Sequence, residues 1–520
     1  MIGRSGDPEI GPATPSSIRA HPRKSAVDFS SEAQSINFRL LNYRFFLMVF
    51  DFDFEKRRML GYKLIDRVNE YFSSLPERSV QLPSDQRTFS ELGETLPEVG
   101  ADALAVLEEA CTELIEHGFH VPSANYFGLM NPTPTYMAVL AEMLVAALNP
   151  QLASLARSQL AARIERETVH WIGGRVGWDR PFDGTFTSGG NEANFSAMAL
   201  ALAHYFPEAV EDGLISTGKR PVLYTSTEAH HSLDKSAGLL GLGRTALRRI
   251  AVTANAQLDP AILETRILQD KTQRFAPFCV VATAGTTNSG TIDDLDILAE
   301  ICQRHHLWLH VDGAYGAAAI FSNQHRKLVQ GIERADSITL DPHKWLAMPF
   351  SSGLILTSRP ETLEQAFAVD TPYMPRSSAA TLLDNFKVST QWSRRMNSLK
   401  VWLTLRVHGR QAYEELIHRQ LELARSFAQW AQGSDDFELA VPQVLPIVNL
   451  RVKLPGAPEE QVQAANEAVV QEVTQDGQRW ISTTFVNGRS VIRVMVISYL
   501  TEERHLEDLK KALMTAAKKR

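Results

Sequence analysis

Lys344 is the residue whose neighbours in the sequence most favour chemistry. It follows an apolar run of strand length, Ser337–Leu340, and it is flanked by His343 and Trp345. Lysine side chains mostly lie on solvated surfaces, so a lysine just past a strand and beside a large aromatic residue is unusual. An amine drawn into a cleft loses its proton more readily and then acts as a nucleophile. The sequence therefore predicts an amine nucleophile at Lys344.

Carboxylates end two predicted strands. Leu307–Val311 leads into Asp312, and Ser337–Leu340 leads into Asp341. In open α/β sheets, the carboxyl ends of the strands border the crevice where ligands bind. An amine that forms a Schiff base, together with an acid that pairs with a pyridinium nitrogen, is the minimal equipment for pyridoxal phosphate. Lys344 and Asp312 together predict that cofactor.

Two short motifs resemble the paired signatures of one family. The segments DGAY at 312–315 and DPHKW at 341–345 look like those of the group II pyridoxal-phosphate-dependent amino-acid decarboxylases. That family includes the aromatic-L-amino-acid, histidine, glutamate and cysteine-sulfinate decarboxylases. The resemblance covers most of the chain, from about Asp51 onward. It implies the aspartate-aminotransferase-like fold type I of the PLP-dependent transferases, and it implies a homodimer.

The resemblance also implies roles for single residues. Lys344 holds pyridoxal phosphate, Asp312 keeps the pyridine nitrogen protonated, and His230 stacks on the ring and can act in acid–base chemistry. His231 is the competing choice for that histidine. Tyr373 resembles the catalytic-loop tyrosine that returns a proton to Cα. Since relatives that form an aldehyde carry phenylalanine at this place, Tyr373 favours simple decarboxylation.

A glycine pair predicts the phosphate site. The segment SGGNEAN at 188–194 lies between a short strand and a helix predicted at Phe195–Tyr205. Glycines let the backbone approach an anion, and the N–H groups at a helix start hold a phosphate. Asn191 stands where the family more often has Ser or Thr, so we expect altered phosphate affinity rather than its loss. The cofactor-binding set that the resemblance implies, beyond Lys344, Asp312 and His230, is Gly189, Gly190, Asn191, Thr287, Ala314, His343 and Ser393, the last across a dimer interface.

The loop NYFGLMNPTP at 125–134 is the candidate substrate pocket. Its Gly, Asn and Pro residues and its lack of period predict a loop, and the matching segment of the family shapes the side-chain pocket. The candidates are Tyr126, Phe127, Leu129 and Met130, with plain core packing as the alternative for each. Their character favours an aromatic or apolar substrate. The loop has no arginine, which argues against glutamate or cysteine sulfinate, although Arg157 or Arg163 could enter from elsewhere.

Composition narrows the class of protein. The 520 residues are 44% hydrophobic and 22% charged, with a net charge of −7, as in ordinary soluble globular proteins. Mild acidity gives no reason to expect nucleic acid or an anionic membrane as a partner. Three cysteines without a CxxC pair exclude a disulfide framework and suggest no metal site. The apolar stretch 38–54 is interrupted by charges and too short to span a bilayer, so a cytoplasmic enzyme is expected.

The order of predicted elements indicates the fold. Strands alternate with helices from about 184 to 357, which predicts an α/β fold with a mostly parallel sheet. Residues 1–50 are predicted to be a disordered extension. Residues 51–130 form a helical arm for dimerisation or a cap on the same subunit. Residues 131–408 form the large cofactor-binding domain and 409–520 a small α+β domain.

The predicted reaction is decarboxylation of an L-amino acid to its amine and CO₂, with an aromatic or apolar side chain favoured. A first alternative is a decarboxylase of the glutamate or cysteine-sulfinate type. A second is another fold type I enzyme, such as an aldehyde synthase, an aminotransferase or a lyase. A third is a scaffold without catalysis, which the presence of Lys344, Asp312, His230 and Tyr373 disfavours.

Overall fold

A computed structural model of the chain describes residues 50–83, 86, 95–371 and 384–519. The predicted disordered extension lies outside the described residues except for Phe50. Tyr373 lies outside them as well. Among the residues that are described, no helix is long and apolar enough to cross a membrane.

A seven-stranded sheet forms the centre of the larger part of the chain. Its strands are β1 (Asp183–Thr187), β2 (Arg220–Ser226), β3 (Leu247–Ile250), β4 (Phe275–Thr283), β5 (Trp308–Asp312), β6 (Ser337–Leu340) and β7 (Gly353–Thr357). Their spatial order is β1-β7-β6-β5-β4-β2-β3. Strand β7 runs antiparallel to both neighbours, and the other pairs are parallel. The predicted α/β fold with a mostly parallel sheet is confirmed.

Helices cover both faces of this sheet and continue along the chain. In order they are α1 (Phe54–Ser74), α2 (Ala103–Glu116), α3 (Tyr136–Leu148), α4 (Gln159–Gly173), α5 (Gly190–Tyr205), α6 (Glu208–Asp212), α7 (Ser232–Leu239), α8 (Pro260–Thr272), α9 (Leu295–His305), α10 (Glu361–Phe367), α11 (Ser398–Gly433), α12 (Glu459–Thr474) and α13 (Glu503–Lys518). Helix α11 is broken at Gly409, where φ is 70°. A glycine adopts that left-handed conformation without steric penalty, so the chain changes direction there.

The burial of strands β4 and β5 explains why their sequences are continuously apolar. Every residue of β5 is buried, and so are the last six residues of β4, from Phe278 to Thr283. Helices packed on both faces of a parallel sheet leave its central strands without a solvent side. The same packing brings the carboxyl ends of β4, β5 and β6 to one edge, where Thr283 pairs with Asp312 and Asp312 with Thr339.

A second, smaller sheet belongs to the C-terminal part. Its strands are β8 (Phe437–Leu439), β9 (Ile447–Val452), β10 (Ser482–Val486) and β11 (Arg489–Met495), in the antiparallel order β10-β11-β9-β8. It has its own buried cluster, which includes Phe427, Val448 and Val494. This arrangement is α+β, whereas the boundaries of the predicted domains stay predictions.

Candidate active site

A cavity of about 430 Å³ opens at the edge of the large sheet where the parallel strands end. It is lined by side chains that follow β1, β2, β4, β5 and β6, as expected for an open α/β sheet. The predicted residues that line it are Leu129, Met130, Gly189, Gly190, Asn191, His230, Thr287, Asp312, Ala314, His343 and Lys344. Residues far apart in the sequence thus meet at one site.

Lys344 reaches this cavity from a tight turn directly after β6. Its backbone N–H donates to the carbonyl of Asp341 at 2.9 Å, which closes the turn. Trp345 anchors the turn on its other side, because its indole N–H donates to Gln420 Oε1 at 2.6 Å in the core. The Lys344 side chain is one quarter exposed, and its Nζ lies 3.2 Å from Asp341 Oδ2. The amine is therefore directed into the cavity beside a buried carboxylate.

Asp312 lies at the end of β5 with both carboxylate oxygens held. Asn194 Nδ2 donates to Oδ2 at 2.8 Å, and the Ala314 N–H donates to Oδ1 at 3.2 Å. The side chain is buried, yet it borders the cavity. Hydrogen bonds donated to a carboxylate favour its charged form. The position thus suits an acid that pairs with a ring nitrogen.

His230 and His231 follow β2 and differ in position. His230 lines the cavity, and its Nδ1 accepts from the Ser232 N–H at 3.1 Å at the start of α7. Burial lowers the pKa of His230, which the Asp312 carboxylate partly opposes. The ring is therefore neutral near pH 7, with its proton on Nε2. His231 has a side chain 92% exposed and contacts Asp234, so only His230 faces the cavity.

The glycine pair lies at the start of helix α5 and lines the cavity. The helix begins at Gly190, five residues before its predicted start, so Gly190 is its first residue and Gly189 is its N-cap. A Cβ added at Gly190 would lie 2.8 Å from Asp341 Oδ2 and 3.1 Å from Ala314 Cβ. Only glycine leaves the backbone N–H groups of this helix start open to a phosphate.

His343 closes the same end of the cavity. Its Nδ1 lies 2.6 Å from the Ser352 carbonyl, to which it donates, and its Nε2 lies 3.7 Å from Asp341 Oδ2. Burial lowers the pKa of His343. The imidazole, the carboxylate and the helix start thus meet within one cradle.

Three predicted site residues that the structure describes are not brought to this cavity. Tyr126 stacks on Trp480 with ring centroids 5.5 Å apart, and Phe127 is buried in the core of the small sheet. In this chain both side chains therefore pack in the core, which was the alternative to a place in the substrate pocket. Ser393 is exposed and does not line the cavity, and Tyr373 lies outside the described residues.

Several residues that line the cavity were not among the predicted site residues, and two of them, Asn194 and Asp341, contact Asp312 and Lys344 respectively. Asn194 lies one helical turn after Gly190, so it lies on the same face of α5 and contacts Asp312. Asp341 directly follows β6, and both of its carboxylate oxygens are buried. The spacing of four between Gly190 and Asn194 is the signal that could have indicated the first residue.

A family model described as the pyridoxal-dependent decarboxylase conserved domain matches residues 83–453. The chain belongs to this family. An aromatic-L-amino-acid decarboxylase of Bacillus atrophaeus is 31% identical over 449 residues, which cover 85% of this chain and 92% of the relative. A human acidic amino acid decarboxylase is 32% identical over 64% of each chain. A tryptophan decarboxylase of Camptotheca acuminata is 26% identical over 89% of this chain and 94% of the relative.

Solved structures show the same fold. Mouse CSAD superposes with a TM-score of 0.83 at 24% identity and covers 90% of this chain and 99% of its own. The TDC of Oryza sativa, solved with PLP and tryptamine, gives a TM-score of 0.83 at 24% identity over 90% and 98% of the two chains. The fold type I prediction is thereby confirmed.

The protein is a pyridoxal-phosphate-dependent carboxy-lyase that acts on an amino acid. The residues present fit this cofactor. Asp312 offers a buried carboxylate for the ring nitrogen, and Lys344 offers an amine for the aldehyde. The cradle at Gly190 offers space for the phosphate that a larger side chain would fill. The neutral His230 completes the set.

Proposed function

We propose that the enzyme decarboxylates an L-amino acid with an aromatic or apolar side chain and releases the amine and CO₂. The observation that carries the proposal is the apolar part of the cavity lining, in which Leu129 and Met130 occur together with the cofactor residues. Lys344 is the one lysine or arginine that lines the cavity among the described residues. Arg157 is exposed and Arg163 pairs with Glu167, so neither reaches it.

The proposed roles of the described residues follow from their positions around the cavity, and that of Tyr373 follows from the resemblance in sequence. When bound, pyridoxal phosphate supplies an aldehyde for an amine and a ring that accepts the electrons of the breaking Cα–carboxylate bond. The Lys344 amine would hold the aldehyde end, and the N–H groups at Gly190 would hold the phosphate. Asp312 would keep a proton on the ring nitrogen, and the His230 imidazole would lie on one ring face. Tyr373 would return a proton to Cα.

A second candidate is an acidic amino acid, and one observation favours it. Arg493 is buried beside Thr287, a residue that lines the cavity, and its guanidinium donates to the Thr287 carbonyl at 3.2 Å and to Ser482 Oγ at 3.1 Å. Burial lowers the pKa of Arg493 to about 10, and the group that opposes this shift is the Tyr126 hydroxyl rather than a carboxylate. The Nε of Arg493 has no hydrogen-bond partner among the described residues. A buried cation of this kind could attract an acidic side chain.

A panel of amino acids distinguishes the candidates. Purified enzyme is incubated with L-tryptophan, L-tyrosine, L-phenylalanine, L-glutamate and L-cysteine sulfinate, and released CO₂ and amine are measured. The proposal expects the highest kcat/KM with an aromatic substrate, equal amounts of amine and CO₂, and no hydrogen peroxide. A preference for an acidic substrate would support the second candidate. Aldehyde with peroxide, or keto acid without CO₂, would contradict decarboxylation as the main reaction.

We also propose that the working enzyme is a homodimer in which helix α1 meets a second copy. No residue of this fully described helix is buried in the single chain. Phe54 and Tyr62 on it are 66% and 61% exposed. Apolar surface of this kind marks a contact site. Sedimentation velocity is expected to give a dimer that Tyr62→Glu weakens, whereas a monomer of full activity would contradict the proposal.

We further propose a cytoplasmic location. Cys111, Cys279 and Cys302 are all free thiols, and the last two are buried. Free cysteines are usual in a reducing compartment. Fractionation of the source cells would find the decarboxylase activity with cytoplasmic markers, and activity in a secreted or membrane fraction would contradict this location.

A further inference from the structure

Asp312 is the end of a continuous chain of buried hydrogen bonds. Trp308 Nε1 donates to Ser337 Oγ at 2.8 Å, and Ser337 Oγ lies 2.9 Å from His310 Nδ1. His310 Nε2 lies 3.0 Å from Asn194 Oδ1, and Asn194 Nδ2 donates to Asp312 Oδ2 at 2.8 Å. All five side chains are buried. The chain leads from the core of the sheet to the cavity.

The direction of these bonds follows from the carboxylate at the cavity end. A carboxylate only accepts, so Asn194 presents its NH₂ to Asp312 and its amide oxygen to His310 Nε2. His310 then has its proton on Nε2 and donates to the oxygen of the Asn194 amide. Thr339 Oγ1 donates to that same oxygen at 2.8 Å. His310 Nδ1 therefore carries no proton and accepts from the Ser337 hydroxyl, which itself accepts from Trp308 Nε1.

His310 is neutral in this arrangement. Burial lowers the pKa of His310 to about 4, which outweighs the attraction of the Asp312 carboxylate. A protonated imidazole at this place would compete with a ring cation for the charge of Asp312. An uncharged amide stabilises the carboxylate by a hydrogen bond and leaves its charge available.

We propose that Asn194, held by neutral His310, is a positioning residue that fixes the Asp312 carboxylate toward the ring nitrogen of the cofactor. The proposal rests on the proposed role of Asp312. Asn194 and Gly190 lie one turn apart on α5. One helix therefore contacts both ends of the cofactor site, the phosphate through its backbone and the ring nitrogen through Asp312. The relative position of the two ends is thus set within a single rigid element.

The test compares two ligands that differ only at the ring nitrogen. Apoenzyme is titrated with pyridoxal phosphate and with the analogue that has C–H in place of the ring nitrogen, and quenching of tryptophan fluorescence gives each Kd. In the wild type, pyridoxal phosphate binds more tightly because Asp312 pairs with its nitrogen. Asn194→Ala is expected to reduce the ratio of the two Kd values by about tenfold, since a hydrogen bond to a charged group is lost.

A matched control separates positioning from general loss of packing. Asn466 is another fully buried asparagine, and its amide bridges Val452 and Ser490 in the small sheet. Asn466→Ala is expected to leave the ratio unchanged. If Asn194→Ala does not fold, Asn194→Leu removes the donor while keeping a branched side chain of similar length, and it is expected to reduce the ratio as well.

The possible outcomes distinguish the positioning role of Asn194 from the proposed role of Asp312, on which it rests. An unchanged ratio in a folded Asn194 variant, with both Kd values raised equally, would overturn the positioning role and leave the role of Asp312 intact. A wild type that binds both ligands equally would contradict the role of Asp312 itself, and the inference would fall with it. Asp312→Ala gives the reference value for complete loss of the pairing.

Discussion

The Nζ atom of Lys344 lies 3.2 Å from Oδ2 of Asp341, a buried carboxylate for which no hydrogen-bond partner is present among the described residues. The contact is an ion pair without hydrogen-bond geometry. Asp341 also borders Gly190 in the cradle proposed for the phosphate. A carboxylate in this place lies against the Lys344 side chain and repels an incoming phosphate.

Removing this charge is expected to strengthen cofactor binding. In Asp341→Asn the shape is kept while the repulsion and the ion pair with Lys344 are lost. We expect the Kd of apoenzyme for pyridoxal phosphate to fall by about tenfold, equivalent to ~1.4 kcal/mol. Titration followed by tryptophan fluorescence measures it. A weaker complex would show instead that the carboxylate helps to hold the cofactor.

Filling the cradle is expected to have the opposite effect. Gly190→Ala places a Cβ 2.8 Å from Asp341 Oδ2, within the space needed by the backbone around a phosphate. The variant should fold, because the residue is helical, and its Kd for pyridoxal phosphate should rise tenfold or more, about 1.4 kcal/mol. Gly238→Ala is the matched control, since a Cβ there meets nothing within 4 Å. Equal affinity in both variants would contradict the phosphate assignment.

The buried His310 gives the stability a pH dependence. Its pKa is lowered by burial to about 4, below the value of about 6.5 in an unfolded chain. The unfolded state therefore binds the proton more tightly, so the stability is complete above pH 6.5 and falls as the pH decreases toward 4. His230 and His343, whose pKa values burial also lowers, act in the same direction.

Thermal unfolding between pH 7.5 and pH 5 tests this dependence. The Tm of the wild-type apoenzyme should fall over this range, and His310→Gln should show a smaller fall because one of the protonating groups is absent. The variant can have a lower Tm throughout without affecting the comparison. Parallel curves for the two proteins would contradict a neutral His310 in the folded state.

Met130 tests the apolar wall of the substrate pocket. Met130→Ala removes apolar surface that borders the cavity, and we expect kcat/KM for the preferred aromatic substrate to fall about tenfold, within the 1–3 kcal/mol typical of such contacts. The Kd for pyridoxal phosphate should not change. If the variant binds pyridoxal phosphate more weakly but keeps its substrate preference, Met130 contributes to cofactor binding rather than to substrate binding.

The catalytic candidates that lie at or just after strand ends were predictable from the sequence. Lys344, Asp312 and His230 each follow a buried strand, and parallel strands bring their carboxyl ends together whatever the distance along the chain. The contact between Asn194 and Asp312 was not predictable in this way. It joins residues 118 positions apart and depends on how helix α5 lies on the sheet.

The substrate loop shows a second limit. Tyr126 and Phe127 have the same aromatic character as pocket residues, but their backbone pairs with another part of the chain. The Phe127 N–H donates to the Trp480 carbonyl at 2.9 Å, and its own carbonyl accepts from the Met495 N–H at 2.9 Å. This docking against the small sheet turns both rings into the core. The spacing of residues within one segment of the sequence does not indicate such a long-range backbone pairing.

The attachment of the cofactor to Lys344 is the central claim, and chemical trapping tests it most directly. Holoenzyme is treated with borohydride, which makes the link between cofactor and amine permanent, and its peptides are analysed by mass spectrometry. The account predicts one pyridoxyl group per chain, on the peptide that contains Lys344, and none in Lys344→Ala. A pyridoxyl group on a different lysine, or an unlabelled Lys344 in active enzyme, would contradict it.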